Sequence, residues 1–211
     1  MPSPINPEYP PPAAPAKPPQ RILVFSGHLI DAPNRPQPRF PPAKEKVVRK
    51  RLAEQLQALK IGNGDLAITG AARGGDLLFA ELCADAGAEV WLLLPLPEEE
   101  FLDESVRLPG SDWEARFRAL SGRAHVGRFF QHEHLGADRE GVGVHARNNL
   151  WIVETARALA DSPQHIHAFL VWDEKSTGDG PGGTSDFVER VRKLGGHVAP
   201  PINPTKVAVE G

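Results

Sequence analysis

From residue 21 onward the chain alternates short continuous apolar runs with longer stretches whose apolar positions keep helical spacing. Ile22-Leu23-Val24-Phe25 is one such run, closed by Ser26-Gly27, and reads as a strand buried on both faces. Gly27–Pro42 follows as a proline-broken loop, long enough for a lid or mouth element. Val48, Leu52, Leu56 and Leu59 then recur at helical spacing beside a basic cluster around Arg49-Lys50-Arg51. Leu66-Ala67-Ile68-Thr69 predicts a second strand, Gly70–Gly75 a glycine turn, Asp76–Ala86 a helix and Glu89–Leu94 a third strand. Strand, turn, helix and strand in so few residues is a βαβ crossover, so these two strands should run parallel.

The rest of the chain continues the alternation. Pro95–Gly122 predicts a helical excursion, His125–Phe130 a strand, Val142–Ala160 a helix and His165–Trp172 another strand. A loop to Gly183 leads into a helix over Thr184–Leu194, ended by Gly195-Gly196, with Val198-Ala199 as a short last strand. The expected fold is therefore α/β, a doubly wound, mostly parallel Rossmann-like sheet with helices on both faces. Proline divides the chain further, since 14 of the 22 prolines fall in the first 42 residues. Residues 1–20, with Pro10-Pro11-Pro12, are expected as a disordered or polyproline-II tail, residues 21–199 as the domain and residues 200–211 as a C-terminal tail.

Composition narrows the function classes. With 24 basic and 27 acidic residues the formal charge is −3, which argues against a protein that coats nucleic acid. No apolar run is long enough to span a bilayer and no secretory h-region opens the chain, so a cytoplasmic location is expected, with no membrane partner. The single cysteine, Cys83, excludes an internal disulfide and a cysteine-based zinc site. The histidine pairs His132/His134 and His165/His167 match no metal-site pattern, and no motif requires a cofactor.

In such a fold ligands bind beyond the carboxyl ends of the strands, at the point where the strand order reverses. The residues expected there are Ser26, Gly27 and His28, the turn with Gly70, Ala71, Gly74 and Gly75, and Asp173 at the end of its strand. Gly178–Thr184 is a second glycine-rich loop opening a helix, where free backbone N–H groups and the helix dipole favour an anion. Arg147 and Asn148 fall on the apolar face of their helix beside Trp151 and Ile152, and so require a polar partner. That partner is either a buried carboxylate such as Asp173 or Asp186, or a bound phosphate.

A strand ending in Ser-Gly, a glycine turn after the next strand, the Arg147-Asn148 pair and the Pro181-Gly182-Gly183-Thr184 turn together resemble the SLOG superfamily. This group of Rossmann-like domains spans the DNA-processing protein A and Lonely Guy types. The resemblance covers about Arg21–Ala199 and implies a nucleotide site lined by Ser26, Gly27, the Gly70–Gly75 turn, Arg147, Asn148, Gly182, Gly183 and Thr184, with Asp173 or Asp186 reading a ribose hydroxyl. It departs from the hydrolase branch in its shorter Pro-Gly-Gly-Thr turn and in Phe187, which stands where that branch carries a glutamate. The expectation is a binding or sensing module for a nucleotide or nucleotide derivative, with N-glycoside hydrolysis through Asp186 as the alternative. The apolar, tryptophan-bearing helix Val142–Ala160 adds the expectation of a homodimer.

Overall fold

The structure is a computed structural model and describes residues 5–136, 141–175 and 183–208. Strands β1 (Arg21–Gly27), β2 (Asp65–Thr69), β3 (Glu89–Leu94), β4 (Val126–Phe130), β5 (Ile166–Val171) and β6 (His197–Val198) form one sheet in the order β4-β3-β2-β1-β5-β6. Every pairing is parallel. The helices are α1 (Glu45–Ala58), α2 (Gly75–Asp85), α3 (Glu98–Phe101), α4 (Trp113–Ser121), α5 (Gln131–Leu135), α6 (Val144–Leu159) and α7 (Thr184–Leu194). A π-helical turn over Leu102–Val106 extends α3. This is the α/β, doubly wound Rossmann-like architecture that the apolar pattern predicts.

The two-residue period of the central strands divides the interior into two cores. Leu23 and Phe25 of β1 pack with Leu52 of α1, Phe79 of α2 and Phe117 of α4. Ile22 and Val24 point to the other face, with Trp151 and Ile152 of α6 and Phe187 and Val191 of α7. A strand that is apolar at every position is thus one that contributes to both cores at once. After β4 the chain returns across the sheet to pair β5 with the free side of β1, and this reversal sets where a crevice opens.

Both terminal segments differ from expectation. Residues 5–20 are not a free tail: Tyr9 is buried in the second core, the indole N–H of Trp151 donates to the Pro10 carbonyl at 2.8 Å, and the Gln20 N–H donates to the Gly64 carbonyl at 2.7 Å. Prolines have no N–H to give, but their carbonyls still accept, and one aromatic anchor suffices to fix the strap. At the other end, Ile202 is buried and pairs with Val171 in an isolated parallel bridge, its N–H donating to Leu170 and its carbonyl accepting from Trp172. The domain therefore extends past residue 199. Trp151, on the helix whose apolar surface suggested pairing, is fully buried in the core that also holds Tyr9. The long loop after β1 is likewise folded onto the domain, with Ile30 and Phe40 in the first core.

Tyr9→Ala is expected to cost about 1.5–3 kcal/mol, the range for burying a large side chain, and to lower the melting temperature by roughly 2–4 °C for each of these. Tyr9→Phe should keep most of that. An unchanged melting temperature in Tyr9→Ala would refute the docking of the N-terminal segment.

Candidate functional site

A cavity of about 460 Å³ opens at the carboxyl edge of the sheet, where the loops after β1, β2 and β3 meet the start of α6 and α7. Its wall at β1 is Ser26, Gly27 and His28, and beside them stand Gly183 and Thr184 at the start of α7. The Ser26 and Thr184 hydroxyls are 3.1 Å apart and bond one another, so β1 and the N-terminus of α7 are tied side by side. Gly183 is the N-cap of α7 and carries no side chain to occupy the first-turn N–H groups, which favours an anion there.

Two groups of side chains complete this end. His28 and Asp173 are both buried, with His28 Nε2 3.0 Å from Asp173 Oδ1 and 3.2 Å from the Asp173 backbone nitrogen. One tautomer donates to the carboxylate and the other accepts from the backbone N–H. Burial pushes the Asp173 carboxyl up, but the His28 and Lys175 N–H bonds and the charges of His28 and Arg39 outweigh it and hold it below the ordinary value. Asp173 thus orients His28. The second group is the loop after β1, which Asp31 closes by accepting from the backbone N–H groups of Arg39 and Phe40 at 2.9 Å each. That closure brings Arg35 and Arg39 to the cavity wall, with Arg39 Nε 3.9 Å from Asp173 Oδ2.

The other end of the cavity is built on Asp76, the second residue of α2. Its Oδ1 accepts from the Thr69 hydroxyl at 2.9 Å and from the Gly70 N–H at 3.2 Å. Burial is the largest influence on this carboxyl and, against the bonds from Thr69 and Gly70, raises it from 3.8 to about 7. Asn148 lies beside it, its amide nitrogen donating to the Leu93 carbonyl at 2.7 Å and its amide oxygen buried without a donor among the described residues. Phe101, Glu104 and Ser105 cover this end; the Ser105 carbonyl accepts from the Arg73 N–H, and His145 Nε2 reaches within 3.7 Å of Glu104 Oε2 at the rim.

Of the residues expected at the site, Ser26, Gly27, His28, Gly70, Asn148, Gly183 and Thr184 line one cavity, and Asp173 stands behind His28. Gly182 lies outside the described residues. Arg147 does not reach the cavity: it is buried, and its guanidinium donates to the carbonyls of Leu135 and Gly136, where α5 ends. Among the described residues it meets these carbonyls and not the carboxylates of Asp173 or Asp186. Asp186 pairs with Arg190 one turn along α7 at 2.8 Å and also lies off the wall. Ala71, Gly74 and Gly75 are not part of the cavity wall. Gly74 has φ 97°, and a Cβ there would meet the Ile30 nitrogen at 2.4 Å, while one on Gly75 would meet the Phe25 ring at 2.7 Å. Glycine is needed at both for packing.

Three residues of the site were not singled out from sequence: Asp76, Arg35 and Arg39. Asp76 carried a legible signal, an acid at the start of a helix whose next residues, Leu77-Leu78-Phe79-Ala80, are all buried. Arg35 and Arg39 carried none, because a loop's hydrogen bonds decide where its side chains go. No protein-family model and no curated protein matches this chain.

Two outcomes follow from this geometry. Asp76 binds its proton more tightly folded than unfolded, so its contribution is fully present below about pH 4 and is lost as pH rises to about 7, on the order of a few kcal/mol. Asp76→Asn keeps the Oδ1 acceptor and removes the titration, so thermal melts should show the variant gaining on wild type at pH 8 and matching it near pH 4. Parallel pH profiles for the two proteins would contradict this. Arg147→Ala should destabilise the fold by about 1.5–3 kcal/mol, the range for hydrogen bonds from a charged group, measured by urea denaturation.

Proposed function

We propose that this protein binds a nucleotide or nucleotide derivative in the cavity at the carboxyl edge, as a sensing or regulatory module. The observation that carries the reading is the convergence on one wall of an uncapped helix N-terminus, two tied hydroxyls and two arginines, at the point where the strand order reverses. Backbone N–H groups and guanidinium forks are the chemistry that holds a phosphate. The phosphate-binding role expected of Arg147 passes in this reading to Arg35 and Arg39. The volume of about 460 Å³ is in the range of small-ligand sites.

One observation favours a second reading, hydrolysis of an N-glycosidic bond. Asp76, with a carboxyl raised to about 7, has the protonation balance of a general acid or base at neutral pH, and it faces the same cavity. In this reading Asp76 replaces Asp186 as the candidate for catalysis.

Calorimetric titration of nucleoside monophosphates into the protein tests the first reading. Arg39→Ala should weaken binding by roughly ten- to a hundredfold, while Arg147→Ala, measured where it remains folded, should leave affinity within about threefold of wild type. Equal weakening by both would refute the assignment of the phosphate end. Incubation of wild type with the same nucleotides, assayed for free base, separates sensing from hydrolysis. Base release that disappears in Asp76→Asn would establish the enzyme.

A further inference from the structure

We propose that His167 and His197 form a site for a divalent transition-metal ion of the Zn²⁺ or Ni²⁺ class, which clamps the last strand of the sheet to its neighbour. The inference is independent of the nucleotide reading. His167 is the second residue of β5 and His197 the first of β6, and the two are register partners on adjacent parallel strands. Neighbouring strands lie about 4.8 Å apart, so the side chains of register partners stand beside one another on one face. That face is the one of the first core, since His167 also pairs in register with Leu23. The two imidazole rings lie against each other, their centroids 5.0 Å apart and their planes at 25°. Both stand in the wall of a groove of about 460 Å³ that Ala58, Leu59, Phe169 and Pro200 also line. His197 is exposed and His167 half-buried, so the pair is open to solvent. It lies toward the amino end of β5, six residues before Asp173 and therefore about 20 Å from the carboxyl-edge cavity.

Stacking accounts for the contact between the rings but not for their nitrogens. Each neutral imidazole offers one lone pair. Among the described residues no ring nitrogen of His167 or His197 has a hydrogen-bond or ion-pair partner, whereas His28 bonds Asp173 and His125 the Ala84 carbonyl. Two imidazoles side by side in a largely apolar groove are a donor set for Zn²⁺, Ni²⁺ or Cu²⁺, and a poor one for Mg²⁺ and Ca²⁺, which take oxygen. Metal–nitrogen bonds of about 2.0–2.1 Å in tetrahedral geometry set the two nitrogens roughly 3.3 Å apart. Rotation of the exposed His197 side chain closes that distance, because the strands already hold the two residues together. Among the described residues no third histidine, cysteine or carboxylate joins the pair, so water takes the remaining positions. Arg21, on the neighbouring β1, is matched by Asp65 at 2.8 Å and sets no bare cation against the ion. His132 and His134 on α5 make the contrast. Two positions apart on a helix, they meet different neighbours, His132 the ring of Phe130 and His134 those of Phe129 and Trp151.

The test is calorimetric titration of the full chain with Zn²⁺, Ni²⁺ and Mg²⁺. One equivalent of Zn²⁺ or Ni²⁺ is expected to bind, and no Mg²⁺. His197→Ala and His167→Asn should each weaken binding at least about tenfold, the loss that follows removal of even an outer partner of a metal ligand. His132→Ala should leave affinity within about twofold of wild type. Zn²⁺ should also raise the Tm of wild type and not that of His197→Ala, because an ion held only by the folded state stabilises it. Absence of Zn²⁺ and Ni²⁺ binding overturns the proposal. Binding that survives in His197→Ala, or that disappears in His132→Ala instead, overturns it as well, since the ion then sits on other histidines. Should His167→Asn not fold, His197→Ala, an exposed position on the edge strand, decides alone.

Discussion

The constraint on which the carboxyl edge depends is the backbone stitching where β1 leaves the sheet. The His28 N–H donates to the Val171 carbonyl at 2.8 Å, continuing the β1–β5 ladder one residue beyond the strand. The chain then turns onto the glycine loop of β2, where the Ile30 N–H donates to Arg73 and the Gly75 N–H to His28, and Leu29 bridges Gly74. Gly74 can lie this close to the His28–Ile30 backbone only because it lacks a Cβ. These bonds join the end of β1, the loop after it and the start of α2 into one unit. Ser26, His28, Arg35, Arg39 and Asp76 of the cavity wall are carried on that unit.

The polar residues of this region trade stability for position. Asp31 closes a loop and thereby aims two arginines, Asp173 orients a histidine, and Asp76 is held in an apolar helix start by the Thr69 hydroxyl, the Gly70 N–H and its own backbone N–H. In a low-dielectric interior each such group is costly unless matched. Asp31 Oδ2 is matched by backbone N–H groups, while its Oδ1 is buried without a hydrogen-bond donor among the described residues, 3.5 Å from Arg35 Nε; Asp173 is matched by His28 and Lys175. The Asn148 amide oxygen is likewise buried without a donor among the described residues, and Asn148 and Asp76 both line the cavity.

The terminal segments complete the two faces of the sheet. The strap over residues 5–20 brings Tyr9 to the face that α6 and α7 cover, and the Ile202 segment prolongs the sheet beside β5. Asn203 ties the latter to the site: it is buried and donates to the Asp173 carbonyl at 3.4 Å, next to the residue that orients His28.

The sequence by itself determined the layered fold, because burial on both faces needs continuous apolar strands and burial on one needs helical spacing, and these periods are written locally in Ile22–Phe25, Leu66–Thr69 and Val48–Leu59. It also placed Ser26, His28, Gly70, Asn148 and Thr184 at the mouth, since strand ends and helix starts must lie there. What it could not determine was the partner of each polar group. Arg147 reads the same whether it meets a phosphate or the carbonyls of Leu135 and Gly136, and Gly74 reads the same whether an anion or a neighbouring backbone crowds it. Tyr9 is one apolar residue in a proline segment until Trp151 offers its indole N–H to Pro10. Periodicity records which way a side chain points from its own element; the hydrogen-bond partner belongs to another element, and only the packed tertiary structure brings the two together.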